Sequence, residues 1–263
     1  MLLAIDIGNT SINLGIFDSD RLKVAWQVAS ELHCTADEYG ILLLNLLERQ
    51  KLLHAEITGV SLCSVVPPLV HTFQEMCGTY LDISPLVVES GVKTGMRIRL
   101  DNPREVGPDR VVNAVAAQNL YGKPVIIIDL GTATTFDVVS QEGDYLGGAI
   151  APGISIAGEA LFTRTAMLPR IELIRPAQVI GRSTVSAMQS GIIFGYIGLI
   201  QGMIQRIEQE LGSKAKVVAT GGQAHSIAKE IPTIDAINPD LTLIGLRLIY
   251  ELNLPERQKG GIT

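Results

Sequence analysis

The chain is poor in the residues that build several common kinds of functional site. Aromatic residues make up 5% of the 263 residues, so we expect an aliphatic core. The three cysteines and four histidines are scattered without metal-ligand spacing, which argues against a zinc site, a histidine-based catalytic cluster and a disulfide framework. The net charge of −6 argues against a surface for nucleic acid or anionic membranes, because such a surface needs a basic patch.

Two nucleotide-binding signatures are also missing. No Gly-x-x-x-x-Gly-Lys-Ser/Thr sequence occurs, which excludes a P-loop, and no Gly-x-Gly-x-x-Gly follows a predicted strand, so a dinucleotide-binding fold is not supported. The start of the chain lacks the pattern of a signal peptide, and the most apolar later run, 192–204, is too short to span a bilayer. We therefore expect a soluble cytoplasmic protein that interacts with neither nucleic acid nor membrane.

The first eighteen residues contain a distinctive motif. An apolar strand over 2–7 carries Asp6 near its end, a polar turn follows, and a second apolar strand runs over 12–18. Gly8 lets the backbone approach a ligand, and the polar groups of the turn suit phosphate oxygens. Asp6 can hold a hydrated metal ion on such phosphates. By itself, the pattern also describes an ordinary β-hairpin with a polar turn.

This motif recurs near the middle of the chain, where the strand 125–130 again ends in an acid and a polar turn. Aligned without gaps, the two copies match Asp129 with Asp6, Gly131 with Gly8, Thr132 with Asn9 and Thr134 with Ser11. A third strand follows each copy, at 21–29 and at 145–151. Because two unrelated apolar strands would not share these residues, the repeat predicts two duplicated halves, 1–118 and 119–263.

Each half is predicted to follow the order βββαβαβ. Hydrophobic periodicity and turn residues predict helices at 36–52, from 67 to about 80, at 153–163, at 183–211, from Ser226, and from Asp240 to Leu252. They predict further strands at 57–66, 86–89, 216–220 and 234–238. Residues 164–182 are expected to be irregular, and the tail 255–263 is expected to be frayed.

Two further segments are candidates for functional sites. The loop 91–110 is rich in glycine, proline and charge and precedes a predicted Ala/Val-rich helix at 111–120; such loops often carry sites, although a solvated loop has the same composition. In the long helix, four glycines recur on one face: Gly191, Gly195, Gly198 and Gly202. Because glycine lowers helix propensity, we infer that another helix, a second subunit or a ligand approaches this face closely.

The repeated motif, together with the late pair Gly221-Gly222, resembles the acetate kinase, sugar kinase, Hsp70 and actin superfamily. The resemblance implies an α/β fold of two ribonuclease H-like (actin-like ATPase) domains with a cleft between them. Five motifs over essentially the whole chain are more specifically similar to the type III pantothenate kinases: DIGNT at 6–10, SVVP at 64–67, DNPREVGPDR at 101–110, DLGTA at 129–133 and GGAIAPG at 147–153.

The resemblance to this family implies a function and a set of site residues. The function is the ATP-dependent phosphorylation of pantothenate to 4′-phosphopantothenate, the first step of coenzyme A biosynthesis, by a homodimer. The family implies that Asp109 is the catalytic base. It implies that ATP is bound by Asp6, Ile7, Gly8, Asn9, Thr10, Ser11, Ile12, Asn13 and Thr132. It implies that the substrate is bound by Gly107, Pro108, Asp109, Arg110 and Thr184.

The expected cofactors include two kinds of cation. Asp6 is expected to order Mg²⁺ through water, which suits an ion that keeps much of its hydration shell. The resemblance implies that Asp129 ligates a monovalent cation, potassium or ammonium, and a purely structural role of Asp129 is the alternative. For Asp109 the alternative is a structural ion pair with Arg110, and for Thr184 it is a helix cap.

Leu100 departs from the family pattern, because many members have a tyrosine at this position near the substrate. Two other functions stay open at this point: an ATP-binding regulatory or accessory protein of the same superfamily, and a kinase of another small alcohol. The loop 101–110 argues against a regulator, which has no use for a base and an arginine in a small pocket. Only a panel of substrates distinguishes pantothenate from another alcohol.

Overall fold

The computed structural model describes residues 1–254, so the predicted frayed tail lies outside the described residues. The chain divides into two compact units: unit one contains Met1–Arg97, Asp101–Ala116 and the chain from Asp240, and unit two contains Ile98–Leu100 and Ala117–Pro239. The units differ from the predicted halves, 1–118 and 119–263, mainly at the last helix. This helix contacts strands of unit one, as described below, and therefore belongs there.

Unit one contains a five-stranded sheet and the helices that cover it. Its first elements are β1 (Leu2–Ile7), β2 (Ser11–Asp18), β3 (Arg21–Ala29), α1 (Ala36–Arg49), β4 (Gly59–Ser64), α2 (Pro67–Leu81) and β5 (Leu86–Val87). The strand order in the sheet is β3-β2-β1-β4-β5. The neighbours β1 and β2, and β2 and β3, are antiparallel, whereas β4 pairs in parallel with both β1 and β5. This is the predicted order of elements.

Unit two repeats this arrangement with one added edge strand. The remaining elements of the chain are β6 (Arg97–Ile98), α3 (Pro108–Tyr121), β7 (Val125–Leu130), β8 (Ala133–Val139), β9 (Asp144–Pro152), α4 (Ile154–Arg164), α5 (Thr184–Leu211), β10 (Lys216–Thr220), α6 (Ala224–Ile227), β11 (Ala236–Ile237) and α7 (Leu241–Asn253). The second sheet has the order β11-β10-β7-β8-β9-β6. Apart from β6, it matches the first sheet strand for strand, which confirms the predicted duplication.

Both units place their acid on a central strand with an aliphatic core on one face. In unit one, Leu3, Ile5 and Ile7 of β1 belong to a buried cluster with residues of α1 and α2. In unit two, the corresponding strand β7 contributes Ile126 and Ile128 to a cluster with α5. Alternate residues of each strand, beginning with the second, are therefore buried in the core of their unit. Asp6 and Asp129 come near the carboxyl ends of these strands, where ligands bind in open α/β sheets.

The helix boundaries have recognisable local causes. At the start of α1, the Thr35 hydroxyl accepts a hydrogen bond from the Glu38 N–H, and the Glu38 carboxylate accepts one from the Thr35 N–H, which is a capping box. At the end of α5, Gly212 adopts a left-handed conformation with φ of 69°, which suits glycine. The last helix, α7, contacts β1, β2 and β4.

Three local predictions were wrong. The helix α3 begins at Pro108 rather than at residue 111, because the fixed φ of proline suits the first helical position. The strand β6 lies in the segment that was predicted to be a loop. The helix predicted from Ser226 is a four-residue helix, α6, followed by a 3₁₀ turn at Ala228–Glu230.

Within the described residues, α5 is long and apolar enough to cross a membrane by length and composition alone. Core helices of soluble proteins have the same composition. Ile193, Ile200 and Ile204 of α5 are buried in the core of unit two. We therefore interpret α5 as a core helix.

Candidate active site

The turn between β1 and β2 is closed by its own backbone. The Gly8 N–H donates to the Ser11 carbonyl at 3.0 Å, and the Thr10 carbonyl accepts from the Ser30 N–H at 3.1 Å. A Cβ atom on Gly8 would lie 3.0 Å from the Ser11 carbonyl, so a side chain there would force the turn to shift. Asn9 and Thr10, at the tip of the turn, are exposed. The predicted ATP-binding residues thus form a preorganised turn with an accessible tip.

Asp6 is held by donors from both neighbouring strands. On the β2 side, Asn13 Nδ2 donates to Asp6 Oδ2 at 3.0 Å. On the β4 side, the buried thiol of Cys63 donates to Asp6 Oδ1 at 3.4 Å. Both partners face Asp6 in the strand register. The two oxygens of the carboxylate are therefore each fixed by a separate strand.

Burial raises the pKa of Asp6 from its ordinary value of 3.8 to about 6. The hydrogen bonds from Asn13 and Cys63 lower it, and the charge of Asp109 raises it. Burial, together with the charges of Asp6 and Asp109, holds the pKa of the Cys63 thiol well above its usual range, so this thiol stays protonated and acts as a donor. Two carboxylates are thus within electrostatic reach of each other in unit one, and a cation would relieve their repulsion.

Asp109 occupies the second position of α3, where a carboxylate is favoured by the partial positive charge of the helix start. The residue before the helix, Gly107, accepts hydrogen bonds through its carbonyl from the N–H groups of Arg110 and Val111, at 3.1 and 3.3 Å. A Cβ atom on Gly107 would lie 2.5 Å from Asp109 Oδ1. The lack of a side chain at Gly107 therefore allows Asp109 its position, and Pro108 starts the helix that carries it.

The second copy of the turn is tightly surrounded by glycines. Asp129 is the second-last residue of β7. After the strand, the Gly131 N–H donates to the Ala133 carbonyl at 3.1 Å, which closes the turn. Gly221 has a φ of +92°, and a Cβ atom on it would overlap Asp129 Oδ1 and the backbone of Leu130. Gly153 donates its N–H to the Thr132 carbonyl at 3.1 Å. Backbone therefore approaches the Asp129 carboxylate and the Thr132 turn more closely than side chains would permit.

The strand registers correct one part of the sequence alignment. Asp6 pairs with Asn13 across the first hairpin, and Asp129 pairs with Thr135 across the second. The second turn is one residue shorter, since Gly8 bonds to Ser11 but Gly131 bonds to Ala133. Ser11 therefore corresponds to Ala133, and the predicted match of Ser11 with Thr134 is wrong. An alignment without gaps could not register this shortening.

The oxygen atoms around Asp6 and Asp129 are suitable ligands for the two expected cations. The carboxylate of Asp6 offers oxygen ligands beside a second acid, which suits Mg²⁺ held through water. Around Asp129, a carboxylate oxygen lies beside a turn rich in backbone carbonyls, and hard monovalent cations take oxygen ligands of this kind. Among the described residues, no cluster of three or more His, Cys, Asp or Glu residues is arranged for a metal ion.

Thr184 is the first residue of α5, and its neighbour Ser183 is the helix cap. The Ser183 hydroxyl accepts from the Ser186 N–H at 3.1 Å, so the alternative that Thr184 is the cap is wrong. Thr184 lines a groove of about 980 Å³ in unit two, together with Arg182, Gly191 and Gly195. Apart from the adjacent backbone of α5 itself, no atom of the described residues comes within 4 Å of a Cβ built on Gly191, Gly195 or Gly198. Packing against another helix in the described part of the chain therefore does not explain the glycine face.

Two residues near Asp6 were missed by sequence reasoning. Neither Cys63 nor Gln27 was assigned a role in the site from the sequence. Gln27 Nε2 donates to Asn13 Oδ1 and to Ser11 Oγ, both at 3.2 Å. The strand register could have identified both residues, because Cys63 on β4 and Gln27 on β3 lie level with Asp6 and Asn13. The sequence predicts the strands but not their pairing to the residue.

Comparison with known proteins identifies the family. A model of the type III pantothenate kinases matches residues 2–206. A type III pantothenate kinase from Moorella thermoacetica is 57% identical over 253 residues, which cover 96% of this chain and 100% of that protein. The chain belongs to the type III pantothenate kinases. A second relative, the type III pantothenate kinase of Dehalococcoides mccartyi strain CBDB1, is 54% identical over 252 residues, which cover 96% of this chain and 96% of that protein.

Solved structures support the fold of this kinase. A Baf family protein from Campylobacter jejuni has a TM-score of 0.62 at 18% identity, covering 95% of this chain and 98% of that one. The inorganic polyphosphate/ATP-glucomannokinase of Arthrobacter sp. strain KM has a TM-score of 0.52 at 15% identity, covering 96% and 99%. At such identities the likeness concerns the fold alone, and it confirms the predicted α/β fold of two duplicated domains. The family membership confirms the predicted enzyme class.

Proposed function

We propose that this kinase transfers the γ-phosphoryl group of ATP to pantothenate and forms 4′-phosphopantothenate in the first step of coenzyme A biosynthesis. The substrate class follows from the names of relatives that match nearly the whole chain. The structural observation that carries the proposal is the position of Asp109 in the first turn of α3, within electrostatic reach of Asp6. A base beside a phosphate-binding turn is what phosphoryl transfer to an alcohol requires.

In this mechanism Asp109 is the general base. Its carboxylate accepts the proton of the pantothenate primary hydroxyl as that oxygen bonds to the γ-phosphorus of ATP. The bond from the γ-phosphorus to the bridging oxygen of the β-phosphate breaks, and ADP leaves. Arg110 and the backbone around Gly107 and Pro108 bind the carboxylate or amide of pantothenate, because arginine and N–H groups suit such oxygens.

The turn of unit one binds the phosphates of ATP. The backbone N–H groups and the polar side chains of the turn supply donors, with Asn9, Thr10 and Ser11 at its tip and Asp6 and Asn13 at its base. Asp6 holds Mg²⁺ through water; this ion neutralises phosphate charge when bound. Thr132, in the corresponding turn of unit two, also contacts ATP, and Asp129 ligates a monovalent cation, potassium or ammonium.

The groove on α5 provides the basis for a homodimer. Its glycine face has no packing partner within the described residues, and Thr184 and Arg182 lie at one end of it. We propose that a second copy of the chain covers this face and that Thr184 contacts pantothenate near the interface. The enzyme is proposed to act in the cytoplasm, where its substrates ATP and pantothenate are available.

The direct test is an assay with purified protein, ATP, Mg²⁺, KCl and pantothenate. We expect ADP, measured by a coupled assay, and 4′-phosphopantothenate, identified by mass spectrometry. A panel of other small alcohols tests the substrate, and a higher kcat/KM for any of them than for pantothenate would contradict the assignment.

A variant pair tests the base. Asp109→Asn should lower kcat by about 10³-fold, because general-base catalysis contributes on this scale, while the affinity for ATP measured by calorimetry stays within about threefold. Asp20→Asn, an exposed acid in the turn between β2 and β3, serves as the matched control and should keep full activity. Normal turnover by Asp109→Asn would show that Asp109 is not the base.

A further inference from the structure

Three neighbouring strands carry a chain of side-chain hydrogen bonds that ends on Asp6. Asn13 on β2 pairs with Asp6 on β1 and with Gln27 on β3. Gln27 Nε2 donates to Asn13 Oδ1 at 3.2 Å, and Asn13 Nδ2 donates to Asp6 Oδ2 at 3.0 Å. Gln27 thus contacts Asp6 only through Asn13 in this chain of bonds.

We propose that Gln27 is a positioning residue of this kinase, which fixes the amide of Asn13 so that its donor end faces Asp6. The proposal rests on the proposed function, in which Asp6 serves ATP and Mg²⁺. Neither the family motifs nor the predicted phosphate turn include Gln27, which lies on an edge strand of the sheet.

The amide of Asn13 needs an external determinant of its orientation. An asparagine amide has a donor end and an acceptor end of nearly the same shape, so a rotation of its last torsion exchanges them. An ionised carboxylate accepts hydrogen bonds only, and an amide oxygen facing it would be repelled. The donor from Gln27 occupies the oxygen of Asn13, which leaves the NH₂ group for Asp6. Cys63, on the other side, offers its thiol as the donor to Asp6.

The same Gln27 nitrogen also prepares the phosphate turn. It donates to Ser11 Oγ at 3.2 Å. A hydroxyl that accepts a bond keeps its own hydrogen to donate, and a phosphate oxygen is a suitable acceptor. Gln27 therefore links the orientation of Asp6 with that of Ser11, and both lie in the stretch proposed to bind ATP.

The test is a double-mutant cycle between Gln27 and Asn13. Gln27→Met removes the donor and keeps the length of the side chain, and Gln27→Glu replaces the donor by an acceptor that attracts the NH₂ group of Asn13. The readouts are the affinity for a non-hydrolysable ATP analogue, measured by calorimetry with and without Mg²⁺, and kcat/KM for ATP. Gln74, an exposed glutamine on α2, gives the matched controls Gln74→Met and Gln74→Glu.

We expect Gln27→Met to weaken binding of the analogue in the presence of Mg²⁺ by about threefold and Gln27→Glu by about tenfold, as the loss of one or two hydrogen bonds between neutral groups would predict. In the Asn13→Ala background, Gln27→Met should weaken binding by less than about twofold, because the part of its effect that acts through Asn13 is lost and only the part through Ser11 remains. The Gln74 controls should match the unchanged protein, and thermal melting of all Gln27 variants should stay within about 2 °C of it, as for most surface substitutions.

The outcomes separate this inference from the proposed function. The positioning role of Gln27 would be overturned if Gln27→Met weakened binding of the analogue equally with and without Asn13. It would also be overturned if Gln27→Met had no effect on binding with Asn13 intact. Asp6→Asn is measured in parallel. If binding of the analogue by Asp6→Asn depends on Mg²⁺ as in the unchanged protein, the role of Asp6 is contradicted. If that dependence is lost but the Gln27 variants bind the analogue normally, only the positioning role of Gln27 is contradicted.

Discussion

The two halves of the molecule use the same hairpin with different side chains around its acid. In unit one, Asp6 receives hydrogen bonds from Asn13 and Cys63 and lies within electrostatic reach of Asp109. In unit two, the position of Asn13 is taken by Thr135, whose hydroxyl donates to Asp137 at 3.0 Å. The duplicated backbone thus presents two carboxylates at equivalent places with different side chains around them, which agrees with the proposal that they serve different ligands.

The opposite strands of the two hairpins differ as well. Gly15 on β2 leaves room for Leu243 of α7, which approaches it closely. The equivalent residue on β8 is Asp137, which is fully buried and accepts a hydrogen bond from the Tyr145 hydroxyl at 2.5 Å. Burying a carboxylate is costly unless it is well hydrogen-bonded. Unit one therefore depends on apolar packing at this position, and unit two depends on a polar pair.

The largest expected effect separates the two acids. At saturating pantothenate and KCl, Asp6→Asn should lower kcat/KM for ATP by about 10²–10³-fold, since it removes charge stabilisation at the phosphates. Asp129→Asn should cost only about tenfold under the same conditions, because one oxygen ligand of the cation is retained in the amide. Steady-state kinetics of both variants provides the measurement. Equal losses would mean that the two turns are not specialised.

The glycines around the two turns should differ in their effect on stability. Gly221→Ala should lower the free energy of unfolding by about 3 kcal/mol, because it adds a strained positive φ to an overlap with Asp129 and Leu130. Gly8→Ala should cost about 1 kcal/mol, since its Cβ would be tight only against the Ser11 carbonyl. Urea denaturation of both variants tests the difference, and a reversed order would contradict the proposed crowding around Asp129.

The buried hydrogen bond between Tyr145 and Asp137 in unit two should contribute more to the free energy of unfolding than the exposed one between Tyr80 and Asp37 in unit one. Tyr145→Phe removes a donor to buried Asp137 and should lower the free energy of unfolding by about 2 kcal/mol. The matched change Tyr80→Phe removes an exposed bond to Asp37, at 2.8 Å, and should cost less than about 0.5 kcal/mol. Similar costs in urea denaturation would argue against a stabilising role of the buried pair.

A further prediction concerns the pH dependence of the stability of the metal-free protein. Because burial raises the pKa of Asp6 to about 6, the folded state binds this proton more tightly than the unfolded state, and stability decreases as the pH rises from about 4 to 6. Asp6→Asn removes this decrease, so the difference in free energy of unfolding between Asp6→Asn and the unchanged protein should grow by about 2 kcal/mol in favour of Asp6→Asn from pH 4.5 to pH 8. Urea denaturation in EDTA at both pH values is the measurement. A gain that is independent of pH would not come from this carboxylate.

Much of the fold could be predicted because the elements of the repeat have clear local sequence patterns. The strands of both hairpins, the start of the first helix at residue 36 and the irregular segment 164–182 follow from periodicity and turn residues. The start of α3 and the four-residue α6 were missed, because short-range signals around Pro108 and Ser226 allow several boundaries. The fold is confirmed by structural relatives, whereas the residue roles in catalysis stay predictions.

The candidate site was predictable only where sequence motifs carry it. Asp6, Asp109 and Asp129 stand in motifs, but the contacts of Cys63 and Gln27 with the site arise from strand pairing between distant segments. The shortened second turn shifted the alignment beyond Thr132, and no composition signal marks that shift. The glycine face of α5 was recognised, but among the described residues no other element packs against Gly191, Gly195 or Gly198.

The most direct test of specialised turns is the dependence of activity on potassium. We expect kcat of the unchanged protein to rise with KCl at constant ionic strength, and Asp6→Asn to keep the same half-saturating concentration at a much lower kcat. Asp129→Asn should need at least about tenfold more KCl, as the loss of a charged ligand predicts. An unchanged potassium dependence in Asp129→Asn, or a shifted one in Asp6→Asn, would contradict the division of work between the two turns.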